Sequence, residues 1–479
     1  MTRQKPPEDR FEEEAAEASA AAERGRRGSS RRQFMRQSVC AAVGMTSLAS
    51  TVFDLRRLAA AVPSSPTDYK ALVCVFLYGG NDSNNMLVPF DASDYASYAA
   101  VRQGLALPQN TLLPITLLGG GDGRLWSLHP SMGGLQTLFA SQQMAILANV
   151  GPLVAPITLD EYDNGTGALP PQLFSHSDQT THWQTSIPDQ PPATGWGGRV
   201  ADMLQALNGA AQISMCMSLA GSNTYQTGRM VSEFQVQPGG TPGLSGYTTD
   251  PSDPWSNALR ALLQASYGNL FQSGYRDIFQ RAISNDALLQ TALQNVPPLT
   301  TQFPQTDLGT QLQTVAQLIE ARAALAQQRQ VFFVATGGFD THGGQLPAQA
   351  PLLQEVSDAL AAFYAATVEM QVQNSVTAFT ASDFGRTYLS NGDGSDHGWG
   401  SHHLIVGGAV LGGRLYGRVP TLAIDGPDDT GDGRWIPTTS VDEYSATLAK
   451  WFGVSATDMA TVFPNLYRFS NPDLGFMGA

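Results

Sequence analysis

Three apolar runs restrict this chain most, because each breaks at a glycine-containing loop that carries aspartate, alone or with histidine. They are Ala71–Tyr78 leading into Gly79-Gly80-Asn81-Asp82, Gln330–Ala335 leading into Gly337-Gly338-Phe339-Asp340-Thr341-His342, and Val376–Thr380 leading into Ser382-Asp383-Phe384-Gly385-Arg386. The first run is continuously apolar with no alternation, which suits a strand covered on both faces, as in a mostly parallel sheet. In such sheets the carboxyl ends of the strands share one edge, where sites form. The Gly79-Gly80 pair permits a tight turn and close backbone approach. Three loops of this kind on one edge predict a single composite site.

The intervening sequence supports the same architecture. Met144–Val150, Ile213–Leu219 and His403–Leu411 are strand-like, and 412–417 reads as a hairpin-like continuation of the last. Helical patterns cover 132–139, 195–207, 310–327, 352–368 and 439–452. Val315, Leu318, Ala321 and Leu325 mark one buried helix face, and a hydroxyl residue at 438–440 with Glu443 caps the final helix. Alternating strands and amphipathic helices predict an α/β fold with a mainly parallel central sheet flanked by helices. A single domain is expected over 62–479. It carries a helical and loop insertion around 224–310, where a Gly/Pro/Ser-rich stretch precedes one or two helices in 255–293. The aspartates of 425–432 lack calcium-loop spacing and read as an acidic loop.

Residues 1–28 are acidic and alanine-rich without apolar periodicity, the pattern of a disordered extension. Residues 29–61 read as a twin-arginine signal peptide: Ser30-Arg31-Arg32-Gln33-Phe34-Met35, a modest apolar run over 39–52, and the small-residue exit Leu58-Ala59-Ala60-Ala61. Arg56 and Arg57 stand unusually close to that exit. The run is too short and polar for a membrane span, so the membrane enters only through an uncleaved signal. The expected location is periplasmic or extracellular, with the twin-arginine translocation machinery as a partner.

Residues 1–61 hold 11 basic and 8 acidic residues; taking these from the totals of 27 and 41 leaves 16 basic against 33 acidic. That balance of −17 excludes nucleic acid as an expected partner. Cys74 and Cys216 are not zinc-spaced, and the reading favours buried free thiols over a Cys74–Cys216 disulfide.

Three of the seven histidines, His397, His402 and His403, fall in seven residues of the glycine-rich stretch after the third strand, beside Asp393 and Asp396. Clustered imidazoles and carboxylates on a bendable loop suit metal ligation or acid–base chemistry. Asp340 and His342, two apart in an extended segment, point the same way and can reach one cation. His176, Ser177, Asp178 and His182 form a second cluster, in which His176 faces a site and His182 packs in a helix. No nucleophile elbow surrounds its serines.

These motifs together resemble a family of exported bacterial proteins, domain-of-unknown-function family 1501, whose fold is similar to that of the alkaline phosphatase and sulfatase superfamily. The resemblance runs from about Ala71 to Leu466. It rests on Phe76-Leu-Tyr-Gly-Gly-Asn-Asp82, Ser175-His176-Ser-Asp-Gln179, Phe339-Asp-Thr-His342, Ser382-Asp-Phe-Gly-Arg-Thr387 and Asp396-His-Gly-Trp-Gly-Ser-His402. It implies an alkaline phosphatase-like domain and an exported metal-dependent hydrolase of a small anionic ester of sulfate, phosphate or a related acid. The divalent cofactor would be zinc, calcium or magnesium, held by Asp82, Asp340, His342, Asp383 and His397 or His402. In the same reading His176 serves as acid/base or orients substrate, Arg386 binds the anion, and Ser175, Ser177 and Thr180 lie where a nucleophile is sought. One departure stands out: Asp383-Phe384 replaces the superfamily's Asp-His pair. The other reading is a non-catalytic exported binding or assembly protein that keeps the fold with a degraded site.

Overall fold

The order of strands in the central sheet brings the three loops together. A computed structural model of the chain describes residues 68–478 except 192, 210 and 239–242. The expectations for 1–61 lie outside these residues. Its strands are β1 (Lys70–Leu77), β2 (Leu87–Pro89), β3 (Leu113–Ile115), β4 (Gly119–Gly120), β5 (Trp126–Leu128), β6 (Met144–Gly151), β7 (Cys216–Ser218), β8 (Phe234–Gln235), β9 (Arg329–Thr336), β10 (Val376–Ser382), β11 (Ser401–Gly407), β12 (Arg414–Tyr416) and β13 (Thr439–Ser440). The large sheet runs β4-β12-β6-β11-β10-β1-β9-β7-β8, with β13 also on β6. All its pairings are parallel except those of β11 with β10 and β6. β2, β5 and β3 form a small antiparallel sheet of their own.

The lack of alternation in β1 has its cause in two cores. Ala71, Val73, Val75 and Leu77 enter one, packed by helices Gly133–Ala140, Asp307–Glu320 and Gln345–Glu369. Leu72, Cys74 and Phe76 enter the other, under helices His176–Thr185, Trp196–Leu204 and Val441–Phe452. Both sides of the pleat are therefore apolar. Cys74 and Cys216 are free and buried. The mainly parallel α/β sheet flanked by helices is as the sequence predicts.

One local expectation is corrected. Segment 412–417 does not turn back on β11 as a hairpin, because β10 and β6 already occupy both edges of β11. β12 instead lies parallel to β6 on its far side. The described residues fall in the unit Pro66–Ala479. Within it, helices Pro254–Gln264 and Leu270–Gln294 fall inside 224–310, and of the second helix only Leu289 and Ala292 are buried.

Ser440 and Glu443 make the anticipated capping box on helix Val441–Phe452. This seals Asp442 inside, where neither carboxylate oxygen finds a hydrogen bond. Burial pushes Asp442 up to about 7, against the opposing influence of Ser186 and Arg199. A carboxyl whose folded value is raised contributes stability below its unfolded value and loses it as pH climbs through the folded one. The window therefore runs from about 4 to about 7. Asp442→Asn should become more stable relative to wild type by on the order of 3 kcal/mol between about pH 4.5 and pH 8, read by urea unfolding. Parallel pH profiles for the two proteins would show that Asp442 is not protonated in the fold.

Candidate metal centre

β10, β1 and β9 are neighbours, so the loops after them meet at one place. Glycine makes the contact close. Gly79 and Gly80 adopt φ of 112° and 80°. A Cβ would lie 2.5 Å from the Asp340 amide nitrogen at Gly79 and 2.3 Å from the Phe384 ring at Gly80. Ser382 ties the first and third loops, donating to the Leu77 carbonyl (2.7 Å) and accepting from the Asn81 amide (2.9 Å).

Three histidines converge on Asp340. His397 Nε2 lies 3.2 Å and His342 Nε2 3.0 Å from Asp340 Oδ1, and His176 Nε2 lies 3.4 Å from Asp340 Oδ2. The two rings His342 and His397 also meet Nε2 to Nε2 at 3.0 Å. One donor atom each from His176, Asp340 and His397 lies within 4.8 Å of the others.

The opposite ring nitrogens are all anchored on acceptors. His397 Nδ1 meets the Phe174 carbonyl at 2.8 Å, His342 Nδ1 meets Asp396 Oδ1 at 3.0 Å, and His176 Nδ1 meets Asp383 Oδ2 at 2.7 Å. A carbonyl only accepts, so the proton of His397 sits on Nδ1 and its Nε2 presents a lone pair. The same holds for the other two rings when their carboxylates are ionised. Asp383 Oδ2 also accepts the Gly79 amide (3.1 Å), in keeping with an acceptor role. Nδ1 tied back and Nε2 aimed at a common point is how metal-bound histidines are oriented. Lone pairs on nitrogen and oxygen brought to about 3 Å require a cation between them, whether a shared proton or a metal ion.

Charge at the centre is adjusted by its neighbours. Burial alone would raise Asp340, but the Arg386 guanidinium, 2.6 Å from Oδ1, and the histidine charges hold it below the usual carboxylate range. Asp396 is likewise held down against burial by Asn391 and His342. Burial raises Asp383, partly offset by His176 and the Gly79 amide. Burial lowers His397, against the Phe174 carbonyl, and so favours its neutral, ligating form.

The remaining candidates are placed elsewhere. Asp82 is fully buried against Arg102, caps the turn Ser83–Met86 and accepts from Gln345. It is not among the converging donors. His402 sits within β11, accepting the Asn149 amide at 3.0 Å, and burial drives it down to about 4. The Ser177 hydroxyl is exposed on the first helical turn, bonded to Ser175 and Asp178. Arg386 is buried, with Nη1 on Asp340 and the Gly79 carbonyl and Nη2 on the Ser395 carbonyl. It therefore holds Asp340 in place, with no arm turned to a ligand. Phe384 lies against His176 and His397, ring centroids 4.8 and 4.5 Å away.

A family model described as "Protein of unknown function (DUF1501)" matches residues 69–439. The chain belongs to that family. No curated protein matches its sequence. Among solved structures it is similar to Ps i-CgsB, at 9% identity and a TM-score of 0.35, covering 85% of this chain and 78% of that one. It is also similar to Ps i-CgsB in complex with k-i-k-neocarrahexaose, at 8% identity and a TM-score of 0.34 with the same coverage. Neither likeness bears on the site.

Sequence reasoning missed three things: that the His176 Nε2 lies with the converging donors, that Asp396 anchors His342, and that the Phe174 carbonyl anchors His397. A signal for the second existed: Asp396-His397 is itself an Asp-His pair, thirteen residues after the position where one is sought.

Proposed function

We propose that this protein binds one divalent metal ion through His176 Nε2, the Asp340 carboxylate and His397 Nε2, and hydrolyses a small anionic ester. The observation that carries the metal reading is the anchoring of three Nδ1 atoms while their Nε2 atoms converge on one carboxylate. Imidazole-rich donors favour a zinc-like ion over calcium or magnesium, which take oxygen shells. A bound ion would polarise the ester oxygen and lower the pKa of water.

The chain's own residues do the positioning. Asp383 and the Phe174 carbonyl fix two of the rings, and Arg386 orients Asp340. Among the described residues no hydroxyl side chain joins the donors, so water is the nucleophile in this reading: its oxygen bonds to phosphorus or sulfur, and the bond to the ester oxygen breaks. His342, held by Asp396 and facing a cavity of about 360 Å³, is placed to take the proton that the attacking water loses on its Nε2 and to pass it on to the leaving oxygen.

An alkaline phosphatase-like fold and twin-arginine export to the periplasm or beyond belong to the same proposal, supported by the loop motifs on three adjacent strands and by Arg31-Arg32. Among the described residues no helix is long and apolar enough to cross a membrane. One observation favours the non-catalytic reading: Phe384 packs where a second ligand is expected, leaving one ion where the superfamily resemblance implies two.

The test is release of 4-nitrophenol from 4-nitrophenyl phosphate and 4-nitrophenyl sulfate by metal-loaded protein. Turnover by wild type and none by His397→Ala supports hydrolysis. No turnover of either ester with metal bound moves the protein to the binding or assembly class.

A further inference from the structure

The cavity beside the centre is lined by His342, Asp396 and His397 on one side and by Tyr162, Phe174, Thr430 and Arg434 on the other. Its volume of about 360 Å³ is at the small end of the range for ligand pockets. Arg434 is the basic residue in its wall. The Arg434 guanidinium is fixed on three sides. Nε donates to the His397 carbonyl (2.9 Å), and Nη1 donates to the Gly431 carbonyl (3.1 Å) and to Asp432 Oδ2 (2.9 Å). It also lies over the Phe174 ring, 5.5 Å from the centroid. Nη2 makes no hydrogen bond among the described residues. A guanidinium so braced, with one arm left over, is preorganised for an oxyanion. Its brace runs through the backbone of a proposed metal ligand, which fixes its distance from the centre.

Arg386 is buried, its two terminal nitrogens bonded to Asp340 and to the Gly79 and Ser395 carbonyls. The cation available to a ligand at this site is therefore Arg434, in a protein whose net charge is −14. Tyr162 and Phe174 add aromatic wall, and the Tyr162 hydroxyl has no partner among the described residues. Flat apolar surface beside a fixed cation suits a ring that carries an anionic group.

We infer that Arg434 reads a second anionic group on the substrate, carried on a ring that packs against Tyr162 and Phe174 while the scissile group occupies the metal centre. The preferred substrates are therefore ring compounds with two anionic groups. This rests on the ester-hydrolase reading of the same site.

The test is calorimetric titration of zinc-loaded protein with benzenesulfonate and with benzene-1,3-disulfonate. The disulfonate should bind roughly tenfold more tightly, the worth of one charge-assisted hydrogen-bonded pair. In Arg434→Gln the ratio of the two affinities should fall toward one, whatever happens to either affinity alone, and Arg434→Lys should keep part of it. A general loosening of the loop would weaken both ligands alike and leave the ratio standing, which overturns the inference. Equal affinities in wild type overturn it too, while metal binding and 4-nitrophenyl ester turnover keep the hydrolase reading intact. Metal-loaded protein that binds neither sulfonate and turns over neither ester ends both.

Discussion

Asp340→Ala should strip the protein of its metal. Protein purified in the presence of zinc is expected to hold about one ion per chain, and the variant is expected to hold background amounts. Among the described residues Asp340 is the only carboxylate that touches all three histidines, through Oδ1 for His342 and His397 and Oδ2 for His176. Its loss removes a proposed ligand and also frees Arg386, leaving an unneutralised guanidinium beside the remaining donors. Both effects oppose cation binding, and together they should weaken it by roughly 10³-fold. The neighbouring positions give a graded comparison. Asp383→Asn leaves every proposed ligand but loosens the hold on His176, a change that costs about 10- to 100-fold in similar settings. His402→Ala should leave the metal content unchanged, because His402 is buried in β11 against Asn149. Metal analysis by mass spectrometry after dialysis reads all three. Wild-type zinc content in Asp340→Ala would remove the centre as drawn.

How much of this was legible depends on what kind of signal each part leaves in a sequence. β1, β9 and β10 stood out because residues facing both cores are apolar, and their neighbouring positions in the sheet followed once the loops after them shared one chemistry. The pairing of Asp340 with His342 was legible for the same local reason, a two-residue spacing. The choice between His397 and His402 was not. Read from the sequence, the strand starts at His403 and leaves His402 in the loop; β11 starts at Ser401, which carries His402 into the sheet. Two residues of boundary turn a ligand candidate into a core residue. His397 stays outside, bridged to Arg386. The Phe174 anchor leaves no trace at all, since a backbone carbonyl has no residue identity. Phe174 itself adopts a backbone φ of 70°, an uncommon value for phenylalanine.

Asp82 is the sharpest case, and its substitution should damage the fold and spare the metal. A sequence reading sees a carboxylate just past the first strand and assigns it to the site. The structure pairs it with Arg102, twenty residues on at the end of helix Ala92–Arg102, with both side chains fully buried. Nothing local announces that partnership. Arg102 also donates to the Thr387 (3.0 Å) and Tyr388 (3.2 Å) carbonyls, so the pair fastens the loop after β10 to the loop after β1. Removing one member of a buried ion pair leaves the other charged and desolvated, which costs about 3–5 kcal/mol. Asp82→Ala should therefore unfold at distinctly lower urea concentration, and Arg102→Met should do the same by stranding Asp82. In both variants the fraction that folds should carry zinc at the wild-type ratio, because the His176, Asp340 and His397 donors keep their own anchors. The opposite pattern, ordinary stability with lost zinc, would return Asp82 to the metal and require the loop after β1 to close further on the centre than it does here.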